Sequence, residues 1–205
     1  MIGFKERLPV VPDIPAKLPW PEYGRTGALR RRLKMNRTPC MKDPGRPDPN
    51  GIRLVPMTAE MYHRYFMEYE NDPDLFPDRA QFVPYTYSRE KTDRYIQRLA
   101  GLNRIGLAVV CGGEIVGEIV IKNIEERKCA TLSVSLKNAR WKDRGIGTQA
   151  EKLAVRYVFG ELDIPVLYAD SVRTNTRSQR VLEKAGVRFI REDGDFRYYR
   201  IDRDP

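Results

Sequence analysis

The sequence predicts an α+β domain: a central, mostly antiparallel twisted sheet of about seven strands flanked by about four helices. Three observations carry this. Segments of strand-like and helix-like apolar spacing follow in order: one strand, two helices, three strands, a helix, a strand, a helix and a final hairpin. A glycine-bearing junction, Arg140-Trp141-Lys142-Asp143-Arg144-Gly145-Ile146-Gly147-Thr148-Gln149-Ala150, leads from the fourth strand into the third helix. Residues 1–51 also differ in composition from residues 52–205, dividing the chain into a proline-rich basic arm and one domain.

Residues 1–50 hold nine of the fifteen prolines, which forbid regular helix and suit an extended arm. Leu18, Trp20 and Tyr23 are expected to cover apolar surface, on the domain or on a second copy in a homodimer. The run Arg30-Arg31-Arg32-Leu33-Lys34 reads as a solvated stretch or as a contact with RNA or ribosome. Ile52–Val55 alternates as a first strand, and Thr58 caps a helix. Tyr62, Tyr65, Phe66 and Tyr69 share one face of that helix, and His63 lies off it, as surface, core filler or catalyst. From Glu68 to Asp78 there are five carboxylates and no Lys or Arg, followed by aromatic residues up to Tyr87. That loop suits a cationic amine, or it simply faces water.

Ser88 caps a second helix whose buried side is Tyr95, Ile96 and Leu99. Gly106–Val110 and Ile115–Ile121 form a hairpin turning at Gly112-Gly113, and Cys129–Leu136 follows as a third strand of this series. Alternation groups Val116, Glu118, Val120 and Lys122 on one face, and Thr131, Ser133 and Ser135 on one face of the neighbour. The helix after the junction buries Ala150, Leu153, Ala154, Tyr157 and Val158. Pro165–Val172 is a strand, Val181, Leu182 and Ala185 mark a helix stopped by Gly186, and Val187–Arg191 pairs with Phe196–Ile201. No internal repeat is visible.

In the junction the two glycines stand just before the helix, where backbone N–H groups lack partners and the helix dipole is positive. Lys142 and Arg144 add charge. The stretch fits a pyrophosphate cradle or an ordinary glycine-rich turn. It lacks the P-loop pattern, and Gln149-Ala150 stands where a dinucleotide loop needs its third glycine.

Composition narrows the classes. The chain has 205 residues, 41% hydrophobic, with no apolar run long enough to span a membrane and no signal-peptide core. Cys40, Cys111 and Cys129 are widely spaced and His63 is the one histidine, so no metal site is expected and the cysteines read as reduced, in a cytoplasmic protein. The net charge of +9 suits polyanionic partners, but residues 1–50 carry +6 of it.

Two motifs bear a family resemblance. Lys142-Asp143-Arg144-Gly145-Ile146-Gly147 resembles the Gln/Arg-x-x-Gly-x-Gly/Ala loop of the GNAT N-acetyltransferase superfamily, with Lys142 departing from Gln/Arg. The segment Ser171–Phe189, with Asn175, Ser178, Glu183-Lys184 and Gly186, resembles that family's Asn-x-x-Ser/Ala…Glu-Lys-x-Gly-Phe segment. The similarity runs from about Ile52 to Asp202 and looks most like the ribosomal-protein and small-molecule N-acetyltransferase branch.

The resemblance implies the GNAT acyl-CoA N-acyltransferase fold, with acetyl-CoA as co-substrate and no metal. An amine acceptor, a small molecule or a protein N-terminus, attacks the thioester directly in a ternary complex. It implies that Lys142, Asp143, Arg144, Gly145, Ile146, Gly147 and Thr148 hold the pyrophosphate. Backbone at Val134, Ser135 and Leu136 pairs with pantetheine, and Asn175 and Ser178 touch it or relay water. Leu182 stands where many members have a tyrosine acid, which leaves that role open, with Tyr198 and Tyr199 as acids or plain aromatics. Ser133 stands where this branch often has a glutamate, and Glu118 next door is the substitute base or a surface strand residue. The rival readings are a non-catalytic acyl-CoA-binding module and a ribosome- or RNA-associated protein using the basic arm.

Overall fold

The computed structural model describes residues 51–204. The arm, its basic run, the contacts of Leu18, Trp20 and Tyr23, and Cys40 lie outside the described residues. In order, the elements are β1 (Ile52–Pro56), α1 (Ala59–Met67), α2 (Arg89–Gly101), β2 (Ile105–Cys111), β3 (Glu114–Glu125), β4 (Cys129–Leu136), α3 (Ile146–Gly160), β5 (Val166–Val172), α4 (Thr176–Lys184), β6 (Arg188–Asp193) and β7 (Phe196–Asp202). The seven strands form one sheet in the order β1-β2-β3-β4-β5-β7-β6. Every pairing is antiparallel except β4 with β5, which α3 connects as a crossover.

Local chemistry explains the boundaries. The Thr58 hydroxyl accepts from the Met61 N–H at 3.2 Å and the Ser88 hydroxyl from that of Lys91 at 3.3 Å, opening α1 and α2. Gly112 and Gly113 turn β2 into β3 with φ of +58° and +84°, the left-handed pair a two-residue hairpin needs. The chain leaves α1 at Glu68, so Tyr69 lies beyond the helix and packs on Phe66 and Tyr85 from the loop.

Two cores lie on opposite faces of the sheet. α1 and α2 cover one with Tyr62, Tyr65, Phe66, Tyr95 and Leu99 over Val120. α3 covers the other, against Val109, Val116, Ile119, Ile121 and Leu132, most of them sealed. Burying each such aliphatic side chain stabilises the fold by about 1.5–3 kcal/mol. α4 packs over β5 and β7 through Leu182, Val187, Ala169 and Tyr199.

Strict alternation along β3 fails at two points, against β4 after Lys122 and, more consequentially, against β2 at Val116. Val109 opposes Gly117 but Val110 opposes Ile115, leaving Val116 as the extra residue of a bulge. Val116 therefore joins Ile119 and Ile121 under α3, on the face opposite Glu118. Beyond the bulge the expected row holds: Glu118 opposes Ser135, Val120 opposes Ser133 and Lys122 opposes Thr131.

Candidate active site

The parallel pairing of β4 with β5 is short. It joins residues Cys129 to Leu132 with Val166 to Ala169 and then stops, so the strands splay. Ser133, Val134, Ser135 and Leu136 form one wall of the resulting cleft, and Asp170, Ser171 and Val172 the other. Gly147 and Glu151 of α3 and Asn175, Ser178 and Leu182 of α4 also line it, and Tyr69 and Asp72 from the loop after α1 complete the lining.

At one end the cleft meets the N-terminus of α3. Gly145 is the N-cap, with φ +77°, a left-handed conformation that favours glycine, and no side chain covers the first N–H groups. The helix begins at Ile146, so Gly147 lies inside its first turn and not before it. A Cβ on Gly147 would meet only the Val181 methyls, at 3.7 and 3.8 Å, which leaves open space over the helix end. Lys142, Arg177, Arg180 and Lys184 outnumber Asp74 and Asp143 around an adjoining depression that Gly145, Thr148 and Thr176 also line. The ensemble is a cationic cradle at a positive helix end, with the size and charge for a phosphate group.

The acidic loop is tied to this cradle. Asp72 accepts from Lys142 Nζ at 2.5 Å, Asp74 from Arg79 at 2.8 Å and from Arg177 at 3.5 Å. Arg177 also donates to Asp143 at 3.2 Å. Asp72 and Asp74 are thus neither free to receive a cationic amine nor merely solvated. Their charges are held by the cations of the phosphate loop.

On the other face lies a layer of tyrosines over Glu118. The Tyr95 hydroxyl donates to Glu118 Oε1 at 2.8 Å, and the buried Tyr62 hydroxyl faces the same carboxyl without a well-formed hydrogen bond. Burial pushes the Glu118 carboxyl up to about 7, with the tyrosine hydroxyls pulling it partly back. At 3% exposure Glu118 is no surface residue. It stands behind the cleft and does not line it; its cross-strand neighbour Ser135 does, sharing a hydrogen bond with the Tyr65 hydroxyl at 3.0 Å. Asp170, the carboxyl on the far wall, is also pushed up by burial, with Lys122 3.9 Å away pulling it back. His63 is engaged elsewhere, between Asp93 at 3.1 Å and the Tyr87 hydroxyl at 3.2 Å, tying α1 to α2.

Residues 52–188 match the family described as the acetyltransferase (GNAT) domain. This chain belongs to that family. Solved GNAT structures share its fold. An aminoglycoside acetyltransferase, AAC(6')-Ib in complex with coenzyme A, is 16% identical with a TM-score of 0.60, covering 74% of this chain and 95% of its own. The Campylobacter jejuni N-acetyltransferase PseH in complex with acetyl coenzyme A is 22% identical with a TM-score of 0.51, covering 56% of this chain and 79% of its own. The GNAT domain of S. lividans PAT is 19% identical with a TM-score of 0.58, covering 74% and 90%. No curated protein matches the chain.

Within this GNAT domain the α4 residues divide sharply. Asn175 is the N-cap of α4, its Oδ1 accepting from the Ser178 N–H at 3.0 Å, so that oxygen is committed to the helix while the residue still lines the cleft. Gln179, buried beneath it, donates to the Val172 and Arg173 carbonyls at 3.2 and 2.9 Å and fixes the β5–α4 turn. Leu182 brings hydrocarbon to the cleft where the family pattern often has a hydroxyl. Tyr198 and Tyr199 do not replace it: both are buried, Tyr199 in the α4 core, and the β7 residue at the cleft is Phe196.

Sequence reasoning missed Glu151. It lies one turn beyond Gly147 on the same face of α3, in the cleft, at 3% exposure. Burial pushes its carboxyl up to about 8. The available signal was a glutamate beside the apolar stripe of Ala150, Leu153 and Ala154, on the Gly147 side. Among the described residues no group of three or more His, Cys, Asp or Glu could hold a metal ion, and no helix is long and apolar enough to cross a membrane.

Proposed function

We propose that the protein is an acetyl-CoA-dependent N-acetyltransferase that transfers an acetyl group to a primary amine by direct attack within a ternary complex. The observation that supports this best is the splayed β4/β5 gap running into an uncovered, cation-ringed helix N-terminus. The cradle formed by Gly145, Gly147, Thr148, Lys142 and Arg177 suits a pyrophosphate, with Arg144 and Ile146 completing the loop. The strand edge at Val134 to Leu136 suits an extended arm that pairs with backbone.

The acceptor approaches from the side of Tyr69 and Ser133, where a ring and a hydroxyl accommodate a small polar amine or a peptide N-terminus. Attack by the amine nitrogen forms the C–N bond, and collapse breaks the C–S bond, releasing the thiolate. The nitrogen must lose a proton. Glu118, poised near neutral pH, is the final acceptor in this reading, reached through the serine row of β4. The chief contribution is proximity, two substrates meeting in one gap.

Leu182 favours a second reading, an acyl-CoA-binding module without turnover, because it offers no proton to the leaving thiolate. Thiol release from acetyl-CoA with a panel of small amines and peptide N-termini decides between them. Release above background with one acceptor class supports the enzyme. Tight acetyl-CoA binding with no release from any amine supports the binding module.

A further inference from the structure

Glu151 takes no part in the proton transfers set out above. It lines the cleft one turn beyond Gly147, in a wall shared with Val134 of β4 and Ser171 of β5. Its side chain makes no hydrogen bond or ion pair with any described residue, and it is 3% exposed. An ionised carboxylate cannot be buried cheaply without a partner, so the group is held neutral, with burial pushing it up to about 8. A neutral carboxyl carries one donor and one acceptor. A secondary amide presents the complementary pair, and the pantetheine arm of an acyl-CoA carries secondary amides along its length.

We propose that Glu151 is a ligand of the pantetheine arm, its carboxyl pairing with one of the arm's secondary amides across the cleft from β4. This rests on the acyl-CoA reading above. It makes α3 contribute twice: its first turn meets the phosphates and its second turn meets the arm. It also makes binding sensitive to pH, since ionising Glu151 removes the donor and sets an anion against an amide carbonyl. The other titratable groups facing the cleft are Tyr69 and Asp72 from the loop after α1, Lys142, Asp170 of β5 and Arg177 of α4. Lys142 and Arg177 are held by Asp72, Asp74 and Asp143, and Asp170 lies toward Lys122.

The test is calorimetry of two ligands on the full chain: acetyl-CoA, and adenosine 3′,5′-bisphosphate, which lacks the arm. Wild type should lose roughly tenfold in acetyl-CoA affinity between about pH 7 and pH 9. Glu151→Gln keeps a donor and an acceptor at every pH and should hold its affinity across that range. Glu151→Leu should bind acetyl-CoA about tenfold more weakly at pH 7, the worth of one to two neutral hydrogen bonds. The bisphosphate should bind all three proteins alike, which also reports that they are folded. Equal acetyl-CoA affinity of Glu151→Leu and wild type, or a Gln variant that still weakens with rising pH, overturns the assignment. Wild-type protein that bound neither ligand would overturn the acyl-CoA reading itself, and this assignment with it.

Discussion

The tyrosine-covered face of the sheet and the α3 face each bury one glutamate, and the surroundings of the two differ. Glu118 sits under α1 and α2 with the Tyr95 hydroxyl 2.8 Å away, and its carboxyl rises to about 7. Glu151 has comparable burial and no described partner, and its carboxyl rises to about 8. Burial is therefore not what separates them; the source of the hydrogen bonds is. A carboxyl supplied with hydroxyls by its own fold is tuned to exchange a proton near neutral pH. A carboxyl left bare in a cleft retains hydrogen-bonding capacity for whatever enters.

Removing the tuned group has the largest expected effect. Glu118→Gln should lower turnover by roughly 10²–10⁴-fold with acetyl-CoA affinity unchanged. The wild-type rate should rise with pH through about 7 as Glu118 ionises, and the variant should lack that limb. Steady-state kinetics over pH 6–9 checks both; an unaltered rate would make the tyrosine layer purely structural.

On the other face, Gly147→Glu would put a carboxylate in the phosphate cradle one turn from Glu151. The added negative charge against the phosphates should weaken acetyl-CoA binding by about a hundredfold or more. Calorimetry reads this directly, and wild-type affinity in the variant would move the phosphate site elsewhere.

The two glutamates also differ in stability terms. Each has a folded value above its ordinary 4.5, so each is protonated when folded while already ionised when unfolded. Their contribution is full below about pH 4.5 and is lost as pH rises, through about 7 for Glu118 and about 8 for Glu151. Glu151→Gln should remove one proton's share, about 1.4 kcal/mol per pH unit across that window. Urea melts at half-unit intervals from pH 5 to 8.5 should therefore show a shallower decline in the variant. Parallel curves would mean that Glu151 is hydrated when no ligand is bound.

The smallest effect is expected from Tyr95→Phe. Losing the hydroxyl that favours the charged form should move the rate profile of Glu118 upward by about one pH unit. A shift in the opposite direction would show that the hydroxyl stabilises the neutral acid instead.

Much of the scaffold was legible because local chemistry dictates it. Thr58, Ser88, Gly112-Gly113 and the apolar stripe of α3 each act within a few residues, and each lies where the sequence placed it. The facing rows of β3 and β4 were legible up to the bulge at Val116, which depends on how β2 lies alongside and is marked in β3 only by the neighbouring Gly117. The site was harder to read. Glu118 looked equally like a surface residue because the rings that bury it come from two other helices. The pairing of Asp72 with Lys142 spans seventy positions, and no periodicity encodes it. Glu151 is informative only once Gly147 is known to be inside the helix.

The short β4–β5 seam has a mechanical consequence. Four residue pairs join β1–β4 to the β5–β7 group, so the backbone ladder divides the sheet into two plates that meet along a narrow strip. Past Leu132 and Ala169 the plates are held at a distance by α3, α4 and the loop ties, without a backbone ladder between them. An extended arm lying there would act as a missing strand and rivet the plates together. Stiffness across the seam would then depend on ligand concentration as well as on the chain's own packing.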